Sequence, residues 1–127
     1  MLEHAPVVAF AATVDADRSR RFYRDVLGLR LRNEDQFALA FDAAGTEIRI
    51  QKVERIAPHP YTALGWRVQD IAVVVAGLVR RGVTFERYPG LGQDGSGVWR
   101  APNGTGVAWF KDPDGNLLSL SDGGSST

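Results

Sequence analysis

The segment WFKDPDGNLLSL (residues 109–120) decides the fold, because it is two strands joined by a tight turn. Pro113 presets one backbone dihedral angle of this turn, Asp114 tolerates strained backbone regions, and Gly115 accepts a positive φ. In the strand after the turn, alternation points Ser119 away from its leucine neighbours. The segment therefore predicts a hairpin that ends the chain with a leucine face and a face carrying one serine.

Upstream of the hairpin, one order of elements occurs twice. A helix with Asp70 as N-cap carries apolar residues at spacings of three and four until Gly82 ends it. An earlier helix begins at Asp15 or Asp17 and ends at Gly28. Each helix follows one extended segment and precedes several more. The pattern predicts an α+β fold of two βαβββ modules that arose by internal duplication.

The module boundaries follow from the turn residues. We expect one domain over residues 1–127, with module one over about residues 5–54 and module two over about residues 62–122. The linker, about residues 55–61, contains two prolines that remove amide donors and hold it extended. Each helix covers one face of its sheet, so the two curved mixed sheets are expected to leave a cleft between their other faces.

Composition excludes several classes of partner. Lysine and arginine (15 residues) balance aspartate and glutamate (15 residues), so no long-range field attracts a nucleic acid or an anionic membrane. The chain has no cysteine, which excludes disulfides, thiolate nucleophiles and cysteine-based zinc sites. Its apolar runs are far shorter than the roughly 20 residues that cross a bilayer. We expect a cytoplasmic protein that contacts neither nucleic acid nor membrane.

Three segments carry a resemblance to a known family: DADRSRRFYRDVLGLRL (residues 15–31), VQDIAVVVAGLVRRGV (residues 68–83) and VAWFKDPDGNLLSL (residues 107–120). The chain resembles the vicinal oxygen chelate superfamily, which includes glyoxalase I, extradiol dioxygenases and bleomycin-resistance proteins. The resemblance implies a glyoxalase/bleomycin-resistance-like fold, and a homodimer, since members often pair through such sheets. It implies no single activity, because this fold hosts metal-dependent enzymes and metal-free binding proteins.

The resemblance also locates the metal site of the metal-dependent members. Its four ligand positions fall on Val8, Arg49, Ala63 and Ser119. These residues offer two aliphatic side chains, a fixed positive charge and a single hydroxyl, which together suit no divalent cation. Neither histidine stands in, because His4 lies back along the first strand and His59 lies in the linker. We expect no metal, no other cofactor and no assigned catalytic residue.

The glycine-rich segment GLGQDG (residues 90–95) spells a dinucleotide-binding pattern, but a strand and a hairpin follow it where that motif needs a helix. We reject the motif. What remains is a loop between Tyr88 and Val98, which is either a lid over the cleft or a solvated surface loop.

Strand alternation selects the side chains that face the cleft. Glu47 and Arg49 share one face of their strand, and Trp109 and Phe110 point to opposite faces, so one of those two lines the cleft. Aromatic rings offer stacking, and an arginine pairs with a carboxylate or another anionic group. The candidate ligand-binding residues are Phe10, Glu47, Arg49, Arg67, Trp99, Trp109, Phe110 and Ser119.

The sequence predicts a small-molecule-binding protein with a metal-free cleft that sequesters an antibiotic or another small organic ligand. Bleomycin itself is disfavoured, because it is cationic and the predicted cleft carries arginines. The alternative is an enzyme of the same superfamily: a metal-independent lyase or isomerase with Glu47 as base or Arg49 as electrostatic stabiliser, or, less favoured, a metal-dependent lyase or dioxygenase. A protein-interaction module, with the cleft filled by side chains, is a third class.

Overall fold

Two four-stranded mixed sheets, each with one helix, form the fold in a computed structural model that describes residues 1–123. The last four residues of the expected domain, 124–127, lie outside the described residues. Module one contains β1 (Val8–Thr13), α1 (Ala16–Arg20) with its π-helical continuation (Arg21–Val26), β2 (Arg30–Glu34), β3 (Ala38–Ala43) and β4 (Thr46–Lys52). Module two contains β5 (Leu64–Arg67), α2 (Ile71–Arg80), β6 (Trp99–Arg100), β7 (Gly106–Lys111) and β8 (Leu117–Ser121).

The two sheets have the same strand order, which confirms the predicted duplication. The order is β1-β4-β3-β2 in the first sheet and β5-β8-β7-β6 in the second. In each sheet the first strand of the module pairs in parallel with the last, and the remaining pairs are antiparallel. None of the helices within residues 1–123 combines the length and the apolar character that a membrane span requires.

Both helices begin and end where the sequence predicts. The Asp15 carboxylate accepts a hydrogen bond from the Arg18 amide (3.1 Å), so Asp15 rather than Asp17 is the N-cap of α1. Asp70 caps α2 in the same way, through the Val73 amide (3.3 Å). Gly28 follows the first helix with a φ of 78°, a left-handed conformation that favours glycine.

One apolar core lies on the helix-covered sides of both sheets. Ile48 and Ile50 of β4 are buried in the core, as their alternation predicts. Phe22, in the π-helical segment of module one, contacts Phe110 of β7 in module two, with ring centroids 6.4 Å apart. The core cluster therefore includes residues of both modules, and the chain folds as one unit rather than as two separate halves.

The turn between β7 and β8 attaches module two to module one. The Tyr23 hydroxyl of module one donates a 2.6 Å hydrogen bond to Asp112, and both side chains are buried. The Thr13 hydroxyl donates to Asp114 (2.6 Å), and the Asn116 amide donates to a main-chain carbonyl of β1 (2.9 Å). The turn residues thus place the end of β1 beside the start of β8. We call these contacts the turn anchor.

Burial shifts the acidity of the two partners in the turn anchor. Loss of solvent raises the pKa of Asp112, and the hydrogen bonds from Tyr23 and Asn116 oppose this rise. The pKa of the Tyr23 hydroxyl also rises, first through burial and then through the neighbouring negative charge of Asp112. Because the folded Asp112 holds its proton more firmly than the unfolded chain does, its contribution to stability falls as the pH rises through the raised pKa.

Tyr23→Phe tests the turn anchor. The variant leaves a buried carboxylate with one donor fewer, so we expect the free energy of unfolding to fall by about 2 kcal/mol near neutral pH. Removing the donor also raises the pKa of Asp112 further, so the loss should be smaller at a pH low enough to protonate the carboxyl of the folded protein. Urea unfolding at both pH values measures the two effects.

Tyr61→Phe is the matched control, because Tyr61 is exposed and lies in the linker. It should leave stability unchanged within about 0.5 kcal/mol. Equal destabilisation of Tyr23→Phe at the two pH values would mean that Asp112 does not titrate with the anchor.

Candidate functional site

The faces of the two sheets that point away from the helices are open within the described residues. On the first sheet, Phe10 is 51% exposed and lies in register with Arg49 on the neighbouring strand. The Arg49 guanidinium donates to Glu47 on the same face (3.1 Å). On the second sheet, Ser119 lies in register between Gly65 and a tryptophan of β7. The open faces therefore carry most of the predicted ligand-binding residues.

Three aromatic side chains form a row on the open face of the second sheet. The Tyr88 and Trp109 rings meet edge to face, with centroids 5.5 Å apart, and Trp109 and Trp99 are tilted at 6.3 Å. Ser119 is the register partner of Trp109. We call Tyr88, Trp109 and Trp99 the aromatic row. Its rings are partly exposed, so they can stack against a flat ligand.

Phe110 does not belong to the open face. It is fully buried and contacts Phe85 (5.4 Å between centroids) and Phe22 (6.4 Å) in the core. Adjacent strand residues point to opposite faces, so Trp109 points outward. The sequence alone did not decide which of Trp109 and Phe110 lines the cleft. The predicted ligand-binding role of Phe110 is therefore corrected: its ring stabilises the contact between the modules.

Two adjoining cavities lie where β1 approaches β5. The first has a volume of about 300 Å³ and is lined by Phe10, Ala11, Ala12, Gln51, Ile56, Ala57, Pro58, His59, Tyr61, Ala63, Asn116 and Leu117. The second has a volume of about 270 Å³ and is lined by Pro58, His59, Pro60, Glu86, Tyr88, Lys111, Gly115 and Leu117. They share three residues, and Tyr88 joins the second cavity to the aromatic row. We call the two cavities and the aromatic row the junction site.

The linker forms the wall between the two cavities. Its His59 ring stacks on Tyr61, with centroids 5.0 Å apart and planes 6° from parallel. Pro58 lies against Gly115, where a Cβ would stand 3.2 Å from its Cγ and the φ of 90° also favours glycine. The turn predicted from sequence therefore also positions the linker, because Gly115 has no side chain and Pro58 can pack directly against it.

His59, Tyr61 and Tyr88 line the junction site, but the sequence does not predict them as site residues. The sequence places His59 in the linker, but a linker position alone does not indicate that a side chain lines a cavity. The paired prolines of the linker were the available signal, since a stiff extended segment between two modules can form a wall. Tyr88 opens the predicted loop, whose position depends on contacts that alternation does not reveal.

The loop after Tyr88 is held by its own polar groups. The Gln93 side chain accepts from the Tyr88 amide (2.7 Å) and donates to the carbonyls of Glu86 (2.9 Å) and Gly97 (2.8 Å). Asp94 accepts hydrogen bonds from the Val98 amide and from the Ser96 amide, which lower the pKa of its carboxyl. These bonds fix the base of the loop and so position Tyr88 beside Trp109.

Neither predicted arginine lines the two cavities. Arg49 lies beside Phe10 at the rim of the first cavity, and its ion pair with Glu47 leaves both side chains partly exposed. Arg67 lies at the far end of β5 from Ala63, in register with Ser121 and against Gly123. The structure therefore places Arg49 near the junction site and Arg67 at its periphery.

The four positions that the family resemblance implies for a metal do not fit a divalent cation. Val8, Arg49 and Ser119 lie on β1, β4 and β8, and Ala63 stands one residue before β5. Their donor set is a single neutral hydroxyl accompanied by a guanidinium charge. Within residues 1–123, no group of three or more histidine or carboxylate side chains is arranged to hold an ion. No step of the chemistry is therefore assigned to a metal.

Comparison of the sequence with protein families agrees with this architecture. The sequence model described as Glyoxalase/Bleomycin resistance protein/Dioxygenase superfamily matches residues 6–120. The chain belongs to this superfamily. A search of curated proteins found no match.

Solved structures of the same fold come from several bacteria. A superfamily member from Sphaerobacter thermophilus has 23% identity and a TM-score of 0.75, with 95% of this chain and 98% of that chain covered. A lactoylglutathione lyase from Agrobacterium tumefaciens has 18% identity and a TM-score of 0.71, with 96% of each chain covered. A protein of the superfamily from Alicyclobacillus acidocaldarius has 18% identity and a TM-score of 0.68, with 93% and 90% covered. At these identities the likeness concerns the fold alone.

A variant with histidine and glutamate introduced at the four positions tests whether the lack of donors prevents metal binding. The wild-type protein should bind no Zn²⁺, Ni²⁺ or Mn²⁺ stoichiometrically in calorimetric titrations, because the four positions lack donors. The fourfold variant Val8→His, Arg49→Glu, Ala63→His and Ser119→Glu should gain one site for Zn²⁺ with a Kd of about 1 μM or tighter.

The control is the variant with Arg49→Glu alone, which adds one carboxylate without completing the site. If the wild-type protein bound one of these metal ions stoichiometrically and Ser119→Ala abolished the binding, the conclusion that the four positions do not fit a metal would be wrong.

Proposed function

We propose that this protein binds a small, flat organic molecule in the junction site without a metal. The observation that supports the proposal is the continuity of the site: the first cavity reaches from Phe10 to His59, the second from His59 to Tyr88, and the aromatic row from Tyr88 to Trp99. Small-molecule sites typically combine concave apolar walls with a few polar groups, and cavities of this size suit a ligand of one or two rings.

The binding energy would come mainly from apolar contact and stacking. Each well-placed aromatic contact adds about 1 kcal/mol beyond the burial of its area. Gln51 and His59 bring hydrogen-bonding groups to the first cavity, and Lys111 brings a cation to the second. These groups would orient the ligand rather than supply most of its affinity.

The charges favour a neutral or anionic ligand. Arg49 stands at the rim beside Phe10, where it pairs with Glu47, and the Lys111 ammonium lies 3.7 Å from Glu86 in a 53% exposed position. Either cation could pair with a carboxylate on the ligand. We therefore propose sequestration of an aromatic acid or a neutral aromatic compound, an antibiotic of that kind included, rather than of a cationic drug.

A second candidate function is a metal-independent lyase or isomerase. His59 supports it, because its imidazole lines both cavities and can carry a proton. Glu47 is a weaker base candidate, since its carboxylate already accepts from Arg49. In this reading His59 would transfer the proton and Arg49 would stabilise developing negative charge.

We also propose a cytoplasmic location, supported by the cysteine-free sequence, and a homodimer.

Trp109→Leu tests the proposed ligand site. A screen of neutral aromatic compounds and aromatic acids by thermal shift should find binders of the wild type; at about 100 times Kd they stabilise the protein by roughly 2.7 kcal/mol. Trp109→Leu should weaken the best binder by about tenfold, because the middle ring of the aromatic row is lost. Isothermal titration measures the change.

Trp66→Phe is the matched control, because Trp66 lies on the helix side of the second sheet. It should leave the affinity unchanged. His59→Gln separates the two candidate functions: a binding protein keeps its ligand intact with or without His59, whereas an enzyme turns the ligand over and loses turnover in this variant. Equal affinity of the wild type and Trp109→Leu would contradict the proposed site.

A further inference from the structure

Charged side chains line only one part of the junction site. Among the described residues that line the first cavity, none is an aspartate, glutamate, lysine or arginine, and the aromatic row is uncharged as well. The second cavity adjoins both, and it is lined by the two members of an ion pair, Glu86 and Lys111. A charged group of a ligand would therefore bind in the second cavity, with the uncharged body in the parts beside it.

The Lys111 ammonium is only loosely paired. Its nitrogen lies 3.7 Å from a carboxylate oxygen of Glu86, which is longer than a hydrogen bond. Within residues 1–123, the Lys111 side chain donates no hydrogen bond to another residue. Because an ammonium group has three donors, this cation can bind an anionic group without giving up an existing hydrogen bond.

Arg49, the other cation near the junction site, is already engaged. Its guanidinium donates to the Glu47 carboxylate at 3.1 Å, so the two form a hydrogen-bonded ion pair. Arg49 also lines neither cavity. An anionic group bound there would compete with Glu47 and would lie outside the concave part of the site. Of the two cations, Lys111 is therefore the better anion anchor.

Two further donors line the second cavity together with Lys111. They are the imidazole of His59 and the hydroxyl of Tyr88, and neither side chain hydrogen-bonds another residue in the part of the chain that the structure describes. Burial, and after it the negative charge of Glu86, raises the pKa of the Tyr88 hydroxyl, so this group keeps its proton. An ammonium group, a hydroxyl and an imidazole can all donate to a carboxylate.

We infer that the ligand of the junction site is an aromatic acid whose carboxylate binds Lys111 in the second cavity. This inference rests on the proposed function, and it selects the acid from the two classes of ligand proposed there. Lys111 then distinguishes an acid from a neutral compound of the same shape. Glu86 acts in the opposite direction, because its negative charge repels the carboxylate of the ligand and competes for the same ammonium group.

The test compares aromatic acids with their own primary amides, which have nearly the same shape without the charge. Benzoic, naphthoic and biphenylcarboxylic acids form the panel, and isothermal titration of the wild type should show about tenfold tighter binding of the best acid than of its amide. Lys111→Met should abolish this preference, whereas Lys111→Arg, which keeps the charge, should retain it. Glu86→Gln should strengthen binding of the acid about threefold and leave the amide unchanged.

Arg30→Met is the matched control, because it removes one positive charge from an exposed position on the edge strand β2, which is separated from β1 by two other strands. It should leave the affinities for the acid and the amide unchanged. A preference for the acid that survives Lys111→Met but is lost in Arg49→Met overturns the inference, because it assigns the carboxylate to the rim.

Two other results separate this inference from the proposed function. If the wild type binds acid and amide equally, or binds neutral aromatic compounds but none of the acids, and Trp109→Leu weakens this binding, Lys111 is not the anchor although the junction site is a ligand site. If the wild type binds no compound of the panel and none of the wider aromatic screen, the inference and the proposed function are both wrong.

Discussion

The buried hydrogen bonds between the β7–β8 turn and module one determine the rest of this structure. Tyr23 and Thr13 of one module donate to Asp112 and Asp114 of the other, at 2.6 Å in each case. A buried carboxylate is stable only with such donors, so the turn can occupy this place only when module one is folded against it. The linker then closes over the turn glycine, and the wall between the two cavities follows from that contact. Folding and the candidate site thus depend on the same few residues.

The fold could be read from the sequence because its signals are local. The capping aspartates, the spacing of apolar residues in the helices and the alternation within strands each act over a few residues, and the structure confirms the two modules that they predict. The partners of the turn could not be read in this way. Asp112 and Tyr23 are far apart in sequence, and nothing in the segment itself distinguishes a solvated turn from one that is buried against another module.

The site was predicted in part, for a related reason. Alternation puts Phe10 and Arg49 on the faces where the structure has them, because it needs only the strand itself. It cannot choose between neighbours such as Trp109 and Phe110 without knowing where the core lies. It also gives no information on linkers. His59 and Tyr88 became visible as site residues only through the cavities that they line. The four positions implied for a metal did not need the structure, because their residue types alone show that they lack suitable donors.

The four positions that the family resemblance implies for a metal carry aliphatic, cationic and hydroxyl side chains, and we propose that an aromatic ligand binds at the junction site instead. A crystal structure of the protein grown with its tightest-binding aromatic compound tests this most directly. We predict ligand density between Phe10, His59 and the ring of Tyr88 or Trp109, with no ion between the ligand and the protein. An ion coordinated by side chains of β1, β4, β5 and β8, or a ligand bound away from the junction site, would contradict it.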